Sequence, residues 1–190
     1  MSDVAYAMAD NYEEYEIING QVYMMSRPNT DHMKVELNIA SIFKNYLKGK
    51  RCVPFNETDV FLDDDNNFVP DVMIVCNPEI IKKKGIFGTP DLVVEILSPT
   101  TAVRDKMDKF FAYEKYGVKE YWIVSPNEKS VEVYLNKDGH FIRSGVYQFY
   151  DEEEFNDLTE EQKKLAKREI KVSLYDDFVV NVKDIFERVK

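Results

Sequence analysis

Apolar and polar side chains alternate along Tyr15-Glu-Ile-Ile18 and again along Gln21-Val-Tyr-Met-Met25, and Asn19-Gly20 between them is a two-residue turn signal. This pattern predicts that a β-hairpin opens the chain. After Pro28-Asn-Thr-Asp31, which supplies capping residues, Met33, Leu37, Ala40, Ile42, Phe43 and Leu47 recur at near-helical spacing up to Lys48-Gly49. A first helix is expected from roughly residue 31 to 48. Val53 to Leu62 is β-rich, Asp63-Asp-Asp-Asn-Asn67 reads as a turn, and Phe68 to Cys76 returns as a strongly apolar strand. The two should pair antiparallel.

A lysine-rich loop, Lys82 to Gly85, leads to Pro90-Asp-Leu-Val-Val-Glu-Ile-Leu97, which is apolar on both faces as a central strand should be. Residues 102–116 are helical in pattern, with Met107, Phe110, Phe111 and Tyr113 expected in the core and Gly117 as the stop. Glu120-Tyr-Trp-Ile-Val-Ser125 follows at once. Strand, helix and strand with short loops predict a right-handed parallel crossover. A further hairpin (130–135 and 141–147), a charged segment (151–169), a short strand at Ile170-Lys-Val172 and an amphipathic tail complete the chain. The expected architecture is one α/β domain over residues 1–190, a mixed central β-sheet flanked by helices.

Composition narrows the classes. A chain of 190 residues with 44% apolar side chains, 12 Tyr and 12 Phe has too much to bury to be disordered. Its longest apolar runs are strand-sized, so no membrane span is expected, and the acidic N-terminus lacks the layout of a secretion signal. Cys52 and Cys76 form no CxxC and two histidines fit no zinc spacing. Reduced thiols and a cytoplasmic location are the expectation. The net charge of −10 repels nucleic acid at long range, and only residues 101–150 are not acidic on balance.

Candidate chemistry comes from the polar exceptions to apolar strands. Glu95 sits in the middle of the central strand, where a carboxylate is costly unless a cation or proton compensates it. Asp71 opens another apolar strand. Two carboxylates on neighbouring strands can converge on one divalent cation, and Mg²⁺ typically takes one or two protein carboxylates with waters and substrate phosphate. Strand and helix rises place Glu95 ~10 Å below the turn that follows, with Lys106 and Lys109 ~6 and ~11 Å down the returning helix. Either ammonium can come level with Glu95, and Lys106, Lys109 and Tyr113 share one helix face.

With these residues in place, Pro70-Asp71, Pro90 to Glu95, Ser98-Pro99, Arg104-Asp105, Lys109, Tyr113 and Gly117 to Trp122 resemble the Uma2 (DUF820) family, assigned to bacterial endonucleases of the PD-(D/E)XK, restriction-endonuclease-like superfamily. The resemblance covers roughly residues 12–148, with a looser match at the tail. It implies that Asp71 and Glu95 hold Mg²⁺, with Mn²⁺ as a substitute. The superfamily lysine two positions after the acid is absent, since position 97 is Leu; its role looks displaced to Lys109, with Lys106 a nearby substitute. His32 corresponds to a family-typical histidine near the site. The implied activity is Mg-dependent endonucleolytic hydrolysis of DNA, with Arg104, Lys106, Lys109, Lys115 and Lys119 setting the field that the substrate meets. A homodimer would be the simplest way to cut two strands.

Each residue also has a plainer reading. Glu95 and Lys109 could form a structural ion pair, His32 could be a helix-start or core histidine, and Glu57, Asp59 and Lys82 to Lys84 read as solvated polar faces. The rival to a nuclease is a catalytically inactive, nuclease-like module that binds nucleic acid or a protein partner. A two-carboxylate glycosidase ranks last, since nothing suggests a sugar cleft.

Overall fold

The computed structural model describes residues 15–98 and 107–190. In chain order it runs β1 (Tyr15–Ile18), β2 (Gln21–Met24), α1 (Thr30–Leu47), β3 (Val53–Asn56), β4 (Val60–Asp63), β5 (Asn66–Phe68), β6 (Val72–Val75), β7 (Ile81–Lys82) and β8 (Gly85–Phe87). It continues through β9 (Leu92–Ile96), α2 (Asp108–Tyr116), β10 (Glu120–Ser125), β11 (Ser130–Lys137) and β12 (His140–Gln148). The end comprises α3 (Glu152–Asp157), α4 (Glu160–Leu165), β13 (Glu169–Lys171), β14 (Val179–Asn181) and α5 (Val182–Ile185).

The central sheet has the order β12-β11-β10-β9-β6-β3. Its one parallel pair is β9 with β10, in register Val94↔Trp122, as the strand, helix, strand pattern requires. Every residue of β9 and of β6 is buried, which explains their unbroken apolar runs. A second sheet, β2-β1-β5-β4-β8-β7, lies over one face. Ile18, Val60, Phe68 and Ile86 of that sheet share a core with Met73, Val93, Tyr121 and Ile123 of the central sheet and with Tyr113 of α2. The opposite face is covered by α1 and the C-terminal segment, where Val35, Ile39 and Phe43 pack with Trp122, Phe178, Val182 and Ile185. The amphipathic tail is therefore core, as its pattern suggests.

The β-rich segments 53–62 and 68–76 pair antiparallel as expected, but the pairing is divided between two sheets: β3 pairs with β6 in the central sheet, while β4 pairs with β5 in the covering sheet. Each run bends from one sheet to the other, and period-two alternation carries no mark of that switch. The core stripe of α1 is Val35, Ile39, Phe43 and Leu47; Met33 and Leu37 are exposed. Met107 and Phe111 are exposed as well, and the predicted start of the second helix, 102–106, lies outside the described residues.

The cysteines provide a further correction. Val53 pairs with Val75, so the antiparallel register carries Cys52 opposite Cys76, and the two form a disulfide. The expected reduced pair was an inference from spacing, whereas neighbouring strands supply proximity without it. Closing a loop of sequence separation 24 is worth about 3 kcal/mol through the unfolded chain. Denaturant melts with and without reductant should differ by about that amount, with no free thiol titrated in the unreduced, unfolded protein; two titrated thiols would remove the bond.

Glu120 is a fully buried carboxylate at the start of β10. It accepts hydrogen bonds from Trp122 Nε1 (2.6 Å) and Ser173 N (2.7 Å), fastening the C-terminal segment to the central sheet. Burial raises its pKa above 4.5 against the lowering effect of these donors. A carboxyl raised in the folded state contributes most below its unfolded value and loses that contribution as pH rises through the folded value. Wild type should therefore lose stability relative to Glu120→Gln as pH rises above 4.5 in urea melts; a difference independent of pH would refute this.

Candidate active site

The antiparallel pairing of β6 with β9 runs Val72↔Val94 and Met73↔Val93. Carried one residue further, it sets Asp71 opposite Glu95, and opposed residues of an antiparallel pair share a face. The two acids, remote in sequence, thus stand side by side. Asp71 Oδ2 accepts from the Ile96 amide at 2.6 Å, which ties its carboxylate to the residue next to Glu95. The Asp71 side chain is 17% exposed, whereas Glu95 is only 2% exposed.

α2 packs back over β9 and brings Lys109 to this pair. Lys109 Nζ lies 3.1 Å from Glu95 Oε1 and 2.7 Å from Glu16 Oε1. One turn along, Tyr113 donates to the same Glu95 oxygen at 2.8 Å. Gly117, in the left-handed conformation at φ 80°, ends α2 and returns the chain into β10. Burial raises the Tyr113 pKa well above 10, and the nearby charges of Glu95 and Glu16 push the same way, so the phenol stays a donor. Glu16 also accepts from Val69 N at 2.9 Å. It is 2% exposed and belongs to β1 of the covering sheet.

His32 approaches from the other face, at the first turn of α1, where Asn29 caps the helix by accepting from the amides of Asp31 and His32. Its Nε2 is 3.3 Å from Asp71 Oδ1, and its Nδ1 is buried without a hydrogen-bond partner among the described residues. Burial, the largest influence, lowers the imidazole pKa, but the hydrogen bond and charge of Asp71 with the charge of Glu36 outweigh it, and the net shift is upward. Glu36, one turn further, is 8% exposed and accepts from Asn56 Nδ2 at 2.9 Å. Burial raises its pKa, helped by the charges of Glu57 and Asp71.

Four of the five predicted site residues, Asp71, Glu95, Lys109 and His32, are brought together; Lys106 lies outside the described residues, as does Arg104. Lys115 and Lys119, expected to contribute to the field, are at the other end of the central sheet: Lys119 adjoins Glu120, which pairs with Leu92 at the start of β9, and its ammonium bonds Asp91 at 2.7 Å. Asp91 has a structural role, since its other oxygen accepts from Cys76 N. Two participants were missed. Glu16 has the same strand parity as the buried Ile18, and Glu36 follows His32 by four residues. Those were the available signals.

Asp71 and Glu95 offer hard oxygen donors, which suit Mg²⁺. Among the described residues no group of three or more His, Cys, Asp or Glu is arranged to hold a metal. Two carboxylates match the arrangement by which Mg²⁺ keeps most of its waters.

The site is thus a carboxylate pair at the end of adjoining strands of a mixed sheet, beside a buried lysine. A crystal structure described as "a putative nuclease belonging to DUF820", from Anabaena variabilis, shares the fold with a TM-score of 0.69 and 20% identity, over 92% of this chain and 90% of that one. The family model of Uma2, described as "Putative restriction endonuclease", matches residues 4–170, and the chain belongs to the Uma2 family. A relative in Synechocystis sp., "Uncharacterized protein slr1290", is 29% identical over 134 residues, 68% of this chain and 70% of its own length. No helix among the described residues is long and apolar enough to cross a membrane.

Removing the cation from between two buried acids leaves uncompensated charge, so Lys109→Met should destabilise by about 3–5 kcal/mol. Adding Glu16→Gln should recover part of that loss in denaturant melts. Additive losses in the double variant would show that the acids do not depend on Lys109.

Proposed function

We propose that the protein is a Mg²⁺-dependent endonuclease that hydrolyses phosphodiester bonds of DNA, with Asp71 and Glu95 as the metal-binding carboxylates. The observation that carries this reading is the register that places Asp71 opposite Glu95, with Lys109 3.1 Å from Glu95. Mg²⁺, or Mn²⁺ in its place, would draw charge from a phosphate oxygen and lower the pKa of an attacking water. In hydrolysis the water oxygen bonds to phosphorus and gives up a proton to solvent, while the bond to the leaving sugar oxygen breaks and that oxygen takes up a proton from solvent. Lys109 supplies a fixed positive charge beside Glu95 against the negative charge that builds on phosphorus. Glu16 holds that ammonium from the far side, and Tyr113 fixes Glu95. His32 Nε2 orients Asp71 on the partly open side of the site.

One observation favours a second reading. Glu95 is almost wholly buried and its Oε1 already receives Lys109 and Tyr113, as in a structural ion network. On that reading the protein is a catalytically inactive, nuclease-like module that binds nucleic acid or a protein partner. Nicking of supercoiled plasmid in Mg²⁺ or Mn²⁺ separates the two. Asp71→Ala, Glu95→Ala and Lys109→Ala, checked for folding, should each lower the rate at least about 100-fold, and EDTA should abolish it. Equal nicking by all variants, or none by the wild type across a metal titration, would remove the nuclease reading.

A further inference from the structure

The chain has a net charge of −10, and the expected cations Lys115 and Lys119 are at the other end of the central sheet from the candidate site. A second cleft, of about 690 Å³, lies where β12 meets the C-terminal segment. Backbone bonds shape it: Gln148 N donates to Lys167 O, and Val182 N donates to Arg168 O. Lys167, Arg168 and Lys183 line its walls together with Tyr147, Phe149 and Tyr150, and Glu169 is the one carboxylate on them. All three cations are exposed, and none forms an ion pair with a carboxylate among the described residues. Two of them are held in place by other means. Lys167 Nζ bonds Ser144 O at 3.2 Å and sits 5.7 Å from the Tyr147 ring centre, and the Arg168 guanidinium lies 4.1 Å from the Phe155 ring centre.

The cleft is at the same end of the central sheet as the candidate active site. Gln148 pairs with Ser130, Ser130 with Ser125, and the neighbouring Val124 with Ile96, whose amide bonds Asp71. Three inter-strand steps separate β12 from β9, about 14 Å, or roughly four base steps at 3.4 Å each along a nucleic acid strand. Tyr147 belongs to the core on the α1 face, the face from which His32 reaches Asp71. Lys167, Arg168 and Lys183 beside the half-buried rings of Phe149 and Tyr150 are a combination that grips phosphates while offering aromatic surface to bases.

Resting on the nuclease reading, we infer that this cleft binds the sugar-phosphate backbone of the substrate strand a few nucleotides from the bond to be cut. It gives an acidic protein a local anchor for a polyanion, and it leaves the chemistry to Asp71, Glu95 and Lys109.

Fluorescence anisotropy with a labelled 20-nucleotide single-stranded DNA in EDTA tests binding without cleavage. The variant Lys167→Ala/Arg168→Ala/Lys183→Ala is compared with Lys82→Ala/Lys83→Ala/Lys84→Ala, an exposed loop triple with the same change in net charge. The cleft variant should bind at least about 10-fold more weakly and lower the slope of log Kd against log salt by about 2, whereas the loop variant should match wild type within a factor of about 2. Equal losses in the two variants, or no loss in the cleft variant, would overturn the inference while leaving the nuclease reading intact if the plasmid is still nicked. Wild type that neither binds nor nicks would overturn both.

Discussion

The Lys109 ammonium is the point at which the two sheets and the crossover helix meet. It is 4% exposed and touches Glu95 of the central sheet and Glu16 of the covering sheet, while its own helix connects β9 to β10. Two carboxylates are tolerated in a dry interior only with a cation between them and further hydrogen-bond donors. Tyr113 and Val69 N supply such bonds. The ammonium therefore joins three elements, β1, β9 and α2.

Around that point the fold separates a buried half of the site from an accessible half. Glu95, Lys109, Tyr113 and Glu16 form a network held from the covering side. Asp71 and His32 are at the strand ends, where α1 begins and the carboxylate is partly exposed. The preorganisation of the buried half is what a charge-stabilising site requires, because dipoles and charges fixed before reaction need not reorganise during it. The basic cleft lined by Lys167, Arg168 and Lys183 is at the same end of the central sheet as this site.

Strands with a buried face on each side were readable from residue type alone. β9 and β6 admit almost nothing polar, so Glu95 within one and Asp71 at the head of the other stood out as exceptions, and the strand, helix, strand spacing over 91–125 required the parallel pairing of β9 with β10. Where one run serves two sheets, the same pattern fell silent. β3 and β4 share an alternation that does not say where the chain leaves one sheet for the other, and Cys52 meets Cys76 only because β3 and β6 pair in one register.

By itself the sequence determined the hairpin, the two main helices, the crossover and the identity of the principal acid pair, because local periodicity and the cost of buried charge act over a few residues. Only the tertiary structure decided that Glu16 closes the network on Lys109, that Met33 and Leu37 face outward, and that Lys119 is remote from the site while Lys167 and Arg168 share its sheet end. Those outcomes depend on which strands become neighbours and on the angle at which a helix packs. Contacts between residues far apart in the chain set both, and no local pattern encodes them.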